Sequence, residues 1–431
     1  MSMAHEITAG FMPLFDSAVL VVAGEIGFAA REGIELKLQR ETSWANIRDR
    51  IAIGHFDVAH MLGPMPLACS LGLTPLASET IVPFSLGLGG NCITVSNAVW
   101  DGMATQGAAP DLDPARAGSA LGALIRERAG AGREPLRFAV VHPHSGHNYE
   151  LRYWLAACGI DPDRDIEIVI VPPPFMADAL AAGRIDGYCV GEPWNSAAVA
   201  AGTGRIVTVK ALLWRNSPEK VIGARKVWAE ENPEALAALL RALHHAARWC
   251  QDPANRGELA ALMAKPAFLG QPEAIQMPAL TGRLQLGGGV ERRVEDFFLP
   301  FDKAANFPWK SHALWFYTQM VRWGFAAHTA EPRHRPRLLS ARPLPLGAEA
   351  ARRGAARRQC QGRGRAEGCD ASRLGGGEPG AWSRRIFRRP DLRSGPDRRL
   401  HCRPETRLII RAPVLCDAQN LCGMSIPLIN V

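Results

Sequence analysis

Two segments place an indole or an imidazole beside a hydroxyl at a helix start: Thr42-Ser43-Trp44-Ala45 and His142-Pro-His-Ser-Gly-His147-Asn. Each follows a strand-like run, and Ser43 or Ser145 is the expected N-cap. A helix start offers unpaired N–H groups and partial positive charge, which suits an anion; an ordinary capped helix has the same signature. Trp44 could wall a flat ligand or only pack. His142, His144 and His147 lack metal spacing, because Pro143 interrupts the run and no nearby carboxylate or Cys falls at ligand distance, so neither metal nor cofactor is expected. Lys220, in Trp214-Arg-Asn-Ser-Pro-Glu-Lys220-Val-Ile-Gly, leads into an apolar strand. It is either an exposed loop lysine or a buried one with a partner, since lysine is almost never buried unpaired.

No nucleophile elbow, phosphate-binding loop, HExxH helix or dinucleotide fingerprint occurs, and Gly87-Leu-Gly-Gly90 precedes a strand rather than a helix. The chain is not expected to be an enzyme.

The elements around these residues alternate. Strands are predicted at Ile7–Gly10, Ile34–Leu38, Asp57–Met61, Cys92–Ser96, Arg137–Val141, Glu167–Val171, Asp186–Val190, Ile206–Val209 and Val221–Ala224. Between them, helices are predicted from Ser17 (capped by Asp16) to Arg31, Trp44–Ile53, Ala117–Ala129, Ser145–Cys158, Met176–Ala182 and Trp194–Ala201. Asn97–Arg116, polar with Gly and Pro, reads as a loop. From Lys226 the texture turns helical, with Leu236, Leu239, Leu240, Leu243 and Ala247 at helical spacing. This is an α/β pattern with mainly parallel sheets in two lobes. The first lobe takes residues 1–97 and the return 215–330, the second 98–214, and the ligand cleft lies between them.

The 431 residues carry a net charge of +8, yet residues 331–431 hold 21 Arg, no Lys and nine acidic residues, leaving the first 330 residues acidic. That Arg-rich tail loses all periodicity and reads as a frameshifted or disordered segment, so the basic charge is no argument for nucleic-acid binding. Five of the ten Cys lie in the body, without metal spacing, which fits a reducing compartment. No apolar run approaches the ~20 residues of a membrane helix. The first residues show no export signal, and a cytoplasmic location is expected.

Several motifs then stand in a familiar order. They are Gly10-Phe-Met-Pro-Leu14, Ser43-Trp44 with Arg48-Asp49, Arg152-Tyr-Trp-Leu-Ala-Ala, Gly159-Ile-Asp-Pro-Asp-Arg-Asp165, Val171-Pro-Pro-Pro174, Cys189-Val-Gly-Glu-Pro-Trp-Asn195, Pro218-Glu-Lys220, Ser311-His-Ala-Leu-Trp-Phe316 and Arg322-Trp-Gly324. Over residues 4–326 the chain resembles the nitrate- and bicarbonate-binding proteins of ABC transporters. The resemblance implies a two-lobed type II periplasmic-binding-protein fold with an oxyanion in the interlobe cleft. It marks Trp44, Asn91, His147 and Lys220 as ligand-binding, with Gly191 and Glu192 of the Cys189–Asn195 motif. Asn91 falls where the transport proteins typically carry Gln and offers the same amide donor. Glu192 would accept the proton of bicarbonate. Without an export signal the chain is similar to the cytoplasmic NasS-type branch. There a nitrate or nitrite sensor restrains an ANTAR-type antitermination protein and touches RNA only through that partner. The alternative implied is the substrate-binding component of a nitrate or bicarbonate ABC transporter. An enzyme of thiamine-precursor synthesis on the same fold would need a Cys-rich motif that the body lacks.

Overall fold

In the computed structural model, which describes residues 5–328, the alternating apolar segments become two five-stranded sheets. The strands are β1 (His5–Phe11), β2 (Ile34–Arg40), β3 (Val58–Leu62), β4 (Thr80–Ser85) and the two-residue β5 (Leu88–Gly89). They continue as β6 (Asn91–Ser96), β7 (Leu136–Val140), β8 (Ile166–Ile170), β9 (Gly187–Gly191), β10 (Gly204–Val209) and β11 (Lys220–Arg225). A hairpin, β12 (Arg283–Gly287) and β13 (Val290–Arg293), and β14 (Phe298–Leu299), paired with β5, complete the set. The first sheet has the order β2-β1-β3-β11-β4 and the second β10-β6-β9-β7-β8.

The sheets are mixed rather than mainly parallel. β1 runs parallel to β2 and β3, and β7 runs parallel to β8 and β9, each pair joined through a helix. β11 is antiparallel to β3 and β4, and β6 is antiparallel to β9 and β10. β6 and β11 are the strands on which the chain arrives from the other lobe. They need no helical crossover to reach their neighbours, so they can run against them. The reversal has a consequence for chemistry. Lys220, the first residue of β11, pairs with Leu62 at the end of β3, and Asn91, the first residue of β6, pairs with Gly191 at the end of β9. Two strand starts are thereby delivered to the edge where parallel strands end.

Several expectations shift. Because β6 belongs to the second sheet, the chain leaves the first lobe near Gly90 rather than at residue 97. The return after residue 215 is not confined to the first lobe, since β12 packs on β10 and on helix Trp194–Ala200. Asn97–Arg116 is largely helical, with helices Asn97–Thr105 and Pro114–Gly130. Ser96 Oγ caps the first by accepting from the Val99 N–H (3.3 Å), and Val99 and Met103 bury the same face at i,i+4. The helix expected to begin at Ser17 breaks where Gly27 takes a left-handed φ of 80°, giving Ala18–Glu25 and Phe28–Arg31. The Arg-rich stretch 331–431 lies outside the described residues.

The first lobe's core joins the wholly buried Ala18–Ala23 stretch to Leu236, Leu239 and Leu243 of helix Pro233–Gln251. The second lobe's core centres on Phe138, Leu151, Trp154 and Leu155. Trp154 is fully buried, and its Nε1 donates to the Pro114 carbonyl at 2.8 Å. Trp154→Ala removes that packing and one hydrogen bond to the carbonyl, so it should cost roughly 3–5 kcal/mol in guanidinium unfolding. A loss under 1 kcal/mol would mean the second lobe's core is not where the packing places it.

Candidate functional site

The elements converge at the edge just described. Ser43 Oγ accepts from the Asn46 N–H at 3.2 Å and starts helix Trp44–Ala52, setting the Trp44 indole inside the protein. Ser145 Oγ accepts from the Asn148 N–H at 3.0 Å and starts helix Gly146–Ala157, placing His147 in its first turn. The caps are ordinary at both starts, and the aromatic residue beside each is buried.

Lys220 is buried, not exposed. Its Nζ lies 2.8 Å from Asp16 Oδ2, 2.6 Å from Glu219 Oε1 and 5.5 Å from the centre of the Trp44 ring. Glu219 is the hub. Its carboxylate also accepts from Lys210 Nζ and from Asn91 Nδ2 (2.7 Å), and its Oε1 stands 3.4 Å from His147 Nε2. Lys210 in turn reaches Glu150 Oε1 at 2.6 Å, and Asn91 Nδ2 reaches Glu150 Oε2 at 3.2 Å. His60 closes the other end. Its Nδ1 accepts from the Met12 N–H, its Nε2 faces Asp16 Oδ1 at 3.0 Å, and its ring meets Trp44 edge-on at 5.2 Å. The first lobe supplies Asp16, Trp44, His60 and Lys220, and the second supplies Asn91, His147, Glu150 and Lys210.

Burial opposes every charge here, and only some groups are rescued. It penalises the ionised Glu219, but Lys210 and Lys220 outweigh it and hold the carboxyl well below its usual range. The ionised Asp16 is likewise disfavoured by burial, yet Lys220 and His60 bring its pKa down. Burial works against both ammonium groups, but their carboxylates keep Lys210 and Lys220 firmly protonated. Glu150 is not fully rescued: burial pushes it up to about 7 against the pull of Lys210, with Glu219 adding to the rise. His147 is driven down to about 3 by burial and is neutral at physiological pH. Neither of its ring nitrogens has a hydrogen-bond partner, nor does Trp44 Nε1, although all are buried.

Of the six residues expected at the site, Trp44, Asn91, His147 and Lys220 come together around Glu219. Gly191 lines the same space. A Cβ there would lie 3.3 Å from both Asn91 Oδ1 and Asp16 Oδ2, so the backbone approaches because no side chain intervenes. Two expectations are corrected. The Asn91 amide is not a free donor, because both carboxylates of Glu219 and Glu150 already take it, and the atom left unpartnered is the acceptor Oδ1. Glu192 turns away from the lysines. Its carboxylate accepts from the Ser196 N–H at 3.1 Å and faces Cys92 Sγ at 3.5 Å, inside the second lobe. The turn into helix Trp194–Ala200 draws it there, where a free N–H needs an acceptor. His142 and His144 satisfy loop and aromatic partners, the latter with Tyr149 Oη at 3.0 Å. Among the described residues no cluster of His, Cys, Asp and Glu suits a metal.

Asp16, His60, Glu150, Lys210 and Glu219 were not singled out by the sequence. Glu219 stands inside Pro218-Glu-Lys220, and Glu150 shares a helix face with His147 at i,i+3, so both signals were present. Asp16, read as a cap, is instead buried in the turn Phe15–Ser17.

The NMT1-like family profile matches residues 3–264. The chain is 35% identical to the nitrate/nitrite binding protein NrtA of Synechococcus elongatus, over 74% of this chain and 72% of that protein. It is 37% identical to the bicarbonate transport ATP-binding protein CmpC of the same species, over 73% of this chain, and spans 45% of that longer relative. The crystal structure of the periplasmic nitrate-binding protein NrtA from Synechocystis superposes with a TM-score of 0.69 at 28% identity, covering 76% of this chain and 83% of that one. The architecture is a two-lobed periplasmic-binding-protein fold.

Glu192 supplies a pH test of the second lobe. Burial raises its pKa from 4.5 to about 7, so the folded state holds a proton that the unfolded state releases. Its stabilising contribution is full below pH 4.5 and is lost as pH rises to about 7. Unfolding free energies of Glu192→Gln relative to the parent should therefore improve by about 1.4 kcal/mol per pH unit between pH 5 and 7, then level off. A difference independent of pH would place an ionised Glu192 in a wetter setting than the geometry allows.

Proposed function

We propose, from the premise that this chain belongs to the NMT1-like family of nitrate- and bicarbonate-binding protein relatives, that it binds nitrate or nitrite between its lobes as the substrate-binding component of an ABC transporter. The observation that carries this reading is that Lys220, the unpartnered nitrogens of His147 and the unpartnered Nε1 of Trp44 are buried close to one another. Donors without partners are costly when buried. A small oxyanion satisfies several of them at once. Nitrate is flat and weakly hydrated, so it surrenders less to enter than phosphate does, and the Trp44 face suits its plane. Bicarbonate brings a proton that Asn91 Oδ1 can accept, which makes it the second ligand to test.

Ligand binding that draws the lobes together changes the surface a partner sees, but only by the ligand's differential affinity for the two arrangements. A membrane permease or an ANTAR-type antitermination protein could read that change. The names of the relatives favour the permease, and the cytoplasmic sensor is the outcome to set against it. Fractionation of native cells separates the two. Recovery outside the cytoplasm supports transport, and nitrate-sensitive co-elution with an ANTAR-type protein in the cytoplasm supports sensing.

Calorimetry on the full chain should give one-to-one binding of nitrate or nitrite. His147→Leu and Trp44→Phe each remove a donor and should weaken it at least about tenfold, equivalent to 1.4 kcal/mol or more, while the melting temperature holds. Lys220→Ala behaves differently: it leaves Asp16 as a buried charge without a cation and Glu219 with Lys210 alone, and should cost roughly 3–5 kcal/mol of stability as well as the ligand. A folded sample that gives no heat with nitrate, nitrite or bicarbonate would end the oxyanion reading.

A further inference from the structure

We propose that this chain takes up its oxyanion together with one proton from solvent, and that the Glu150 carboxylate is the group that receives it. The inference rests on the oxyanion reading above and deepens it.

The argument is a charge count along one unbroken chain of contacts. Asp16 meets Lys220, Lys220 meets Glu219, Glu219 meets Lys210 and Lys210 meets Glu150, with the Asn91 amide bridging the last two carboxylates. That is three carboxylates against two ammonium groups, all buried. The two imidazoles that border the chain, His60 and His147, are held neutral by burial and add nothing to the positive side. With every acid ionised, the network already carries one excess negative charge. A monoanion added beside Lys220 would make it two, in a space where screening is weak. The count closes only if a positive charge enters with the anion. A solvent proton that converts one carboxylate to a carboxylic acid supplies it, and the net charge of the site is then unchanged by binding.

Geometry selects the acceptor. Glu219 is pinned by two lysines and an amide, and Asp16 has, besides Lys220, the His60 Nε2 contact to itself, whereas both donors that reach Glu150, Lys210 and the Asn91 amide, are shared with Glu219. Glu150 has one lysine, which keeps Glu219 when Glu150 is neutralised. The groups facing Glu150 are His147 on its own helix, Asn91 on β6, Cys189 on β9, Lys210 at the end of β10 and Glu219 before β11. His312 of helix Lys310–Arg322 feels Lys210 from behind. Lys210 is the only cation among them. The rise of Glu150 to about 7, caused first by burial and opposed by Lys210, agrees with this choice.

The test is calorimetric titration of the full chain with sodium nitrate in Tris and in HEPES, whose ionisation heats differ. Above pH 8 the two heats should differ by the amount for about one proton taken up per nitrate, and the dissociation constant should rise about tenfold per pH unit. At pH 6 the buffer difference should vanish, because Glu150 is already protonated. Glu150→Gln should bind nitrate with no buffer difference and no pH dependence, and more tightly than the parent at pH 9. Nitrate binding with equal heats in both buffers overturns the proposal. So does a Glu150→Gln protein that still takes up a proton, which would move the site to His147. Absence of binding of nitrate, nitrite and bicarbonate alike at every pH overturns the oxyanion reading itself, and this inference with it.

Discussion

Glu219 is the constraint on which the rest depends. A buried carboxylate is tolerable only when counter-charges and donors surround it. Here one ammonium group comes from each lobe, Lys220 and Lys210, and the Asn91 amide comes from the second. Holding all three in place fixes the start of β11, the start of β6 and the end of β10 relative to one another. One interlobe backbone bond follows the same line, Phe15 N–H to the Glu192 carbonyl, while Gly63 N–H to the Glu219 carbonyl extends the β3–β11 pairing up to the network. The lobes are therefore joined through a polar network rather than through a continuous apolar seam alone. Such a junction is geometrically exacting, because a small displacement breaks several charged contacts together. On the proposed oxyanion reading it would also be responsive, because an anion would compete for the same lysine.

Much of the scaffold was legible in the sequence because its signal is local. The strand at Ile34–Leu38 alternates, Gly54 and Gly159 stop helices, and Ser43 and Ser145 cap them, so each expected element lies within a few residues of the observed one. What failed was non-local or masked by composition. Gly102, Gly107 and Pro110 disguised helix Asn97–Thr105, whose cap and buried Val99 and Met103 prevail over them. Sheet membership of β6 depends on pairing with β9, roughly a hundred residues away, and no periodicity reveals that.

The site divides along the same line. Trp44 and His147 could be found because a helix start is a local pattern. Lys220 could be flagged because a lysine opening an apolar strand is anomalous. Its partners could not be chosen, because Asp16 lies 204 residues away in sequence. Asp16 also resembled a routine cap, while Glu219 hid in the residue before Lys220. Glu192 misled for the opposite reason: it belongs to a recognisable motif, yet its side chain serves the helix that follows it. A motif constrains backbone placement more strongly than it constrains where a carboxylate points.

The balance of charge also bears on which anions the site can accept. A strongly positive pocket would favour the anion of highest charge. This one offsets both of its lysines with carboxylates, and its spare hydrogen-bonding capacity lies in neutral imidazole and indole nitrogens. Neutral donors stabilise a monoanion by hydrogen bonds without supplying the net charge a dianion would need. At about 4 Å and an effective dielectric of about 20, each further uncompensated charge pair costs about 4 kcal/mol. Sulfate or hydrogen phosphate would bring one more negative charge than nitrate while gaining only the same few donors. It would also have to shed a more tightly held hydration shell. On the proposed oxyanion reading, the carboxylates beside Lys220 would act against dianions more than against nitrate, and selectivity for singly charged oxyanions would come from the buried acids as much as from the lysines they hold.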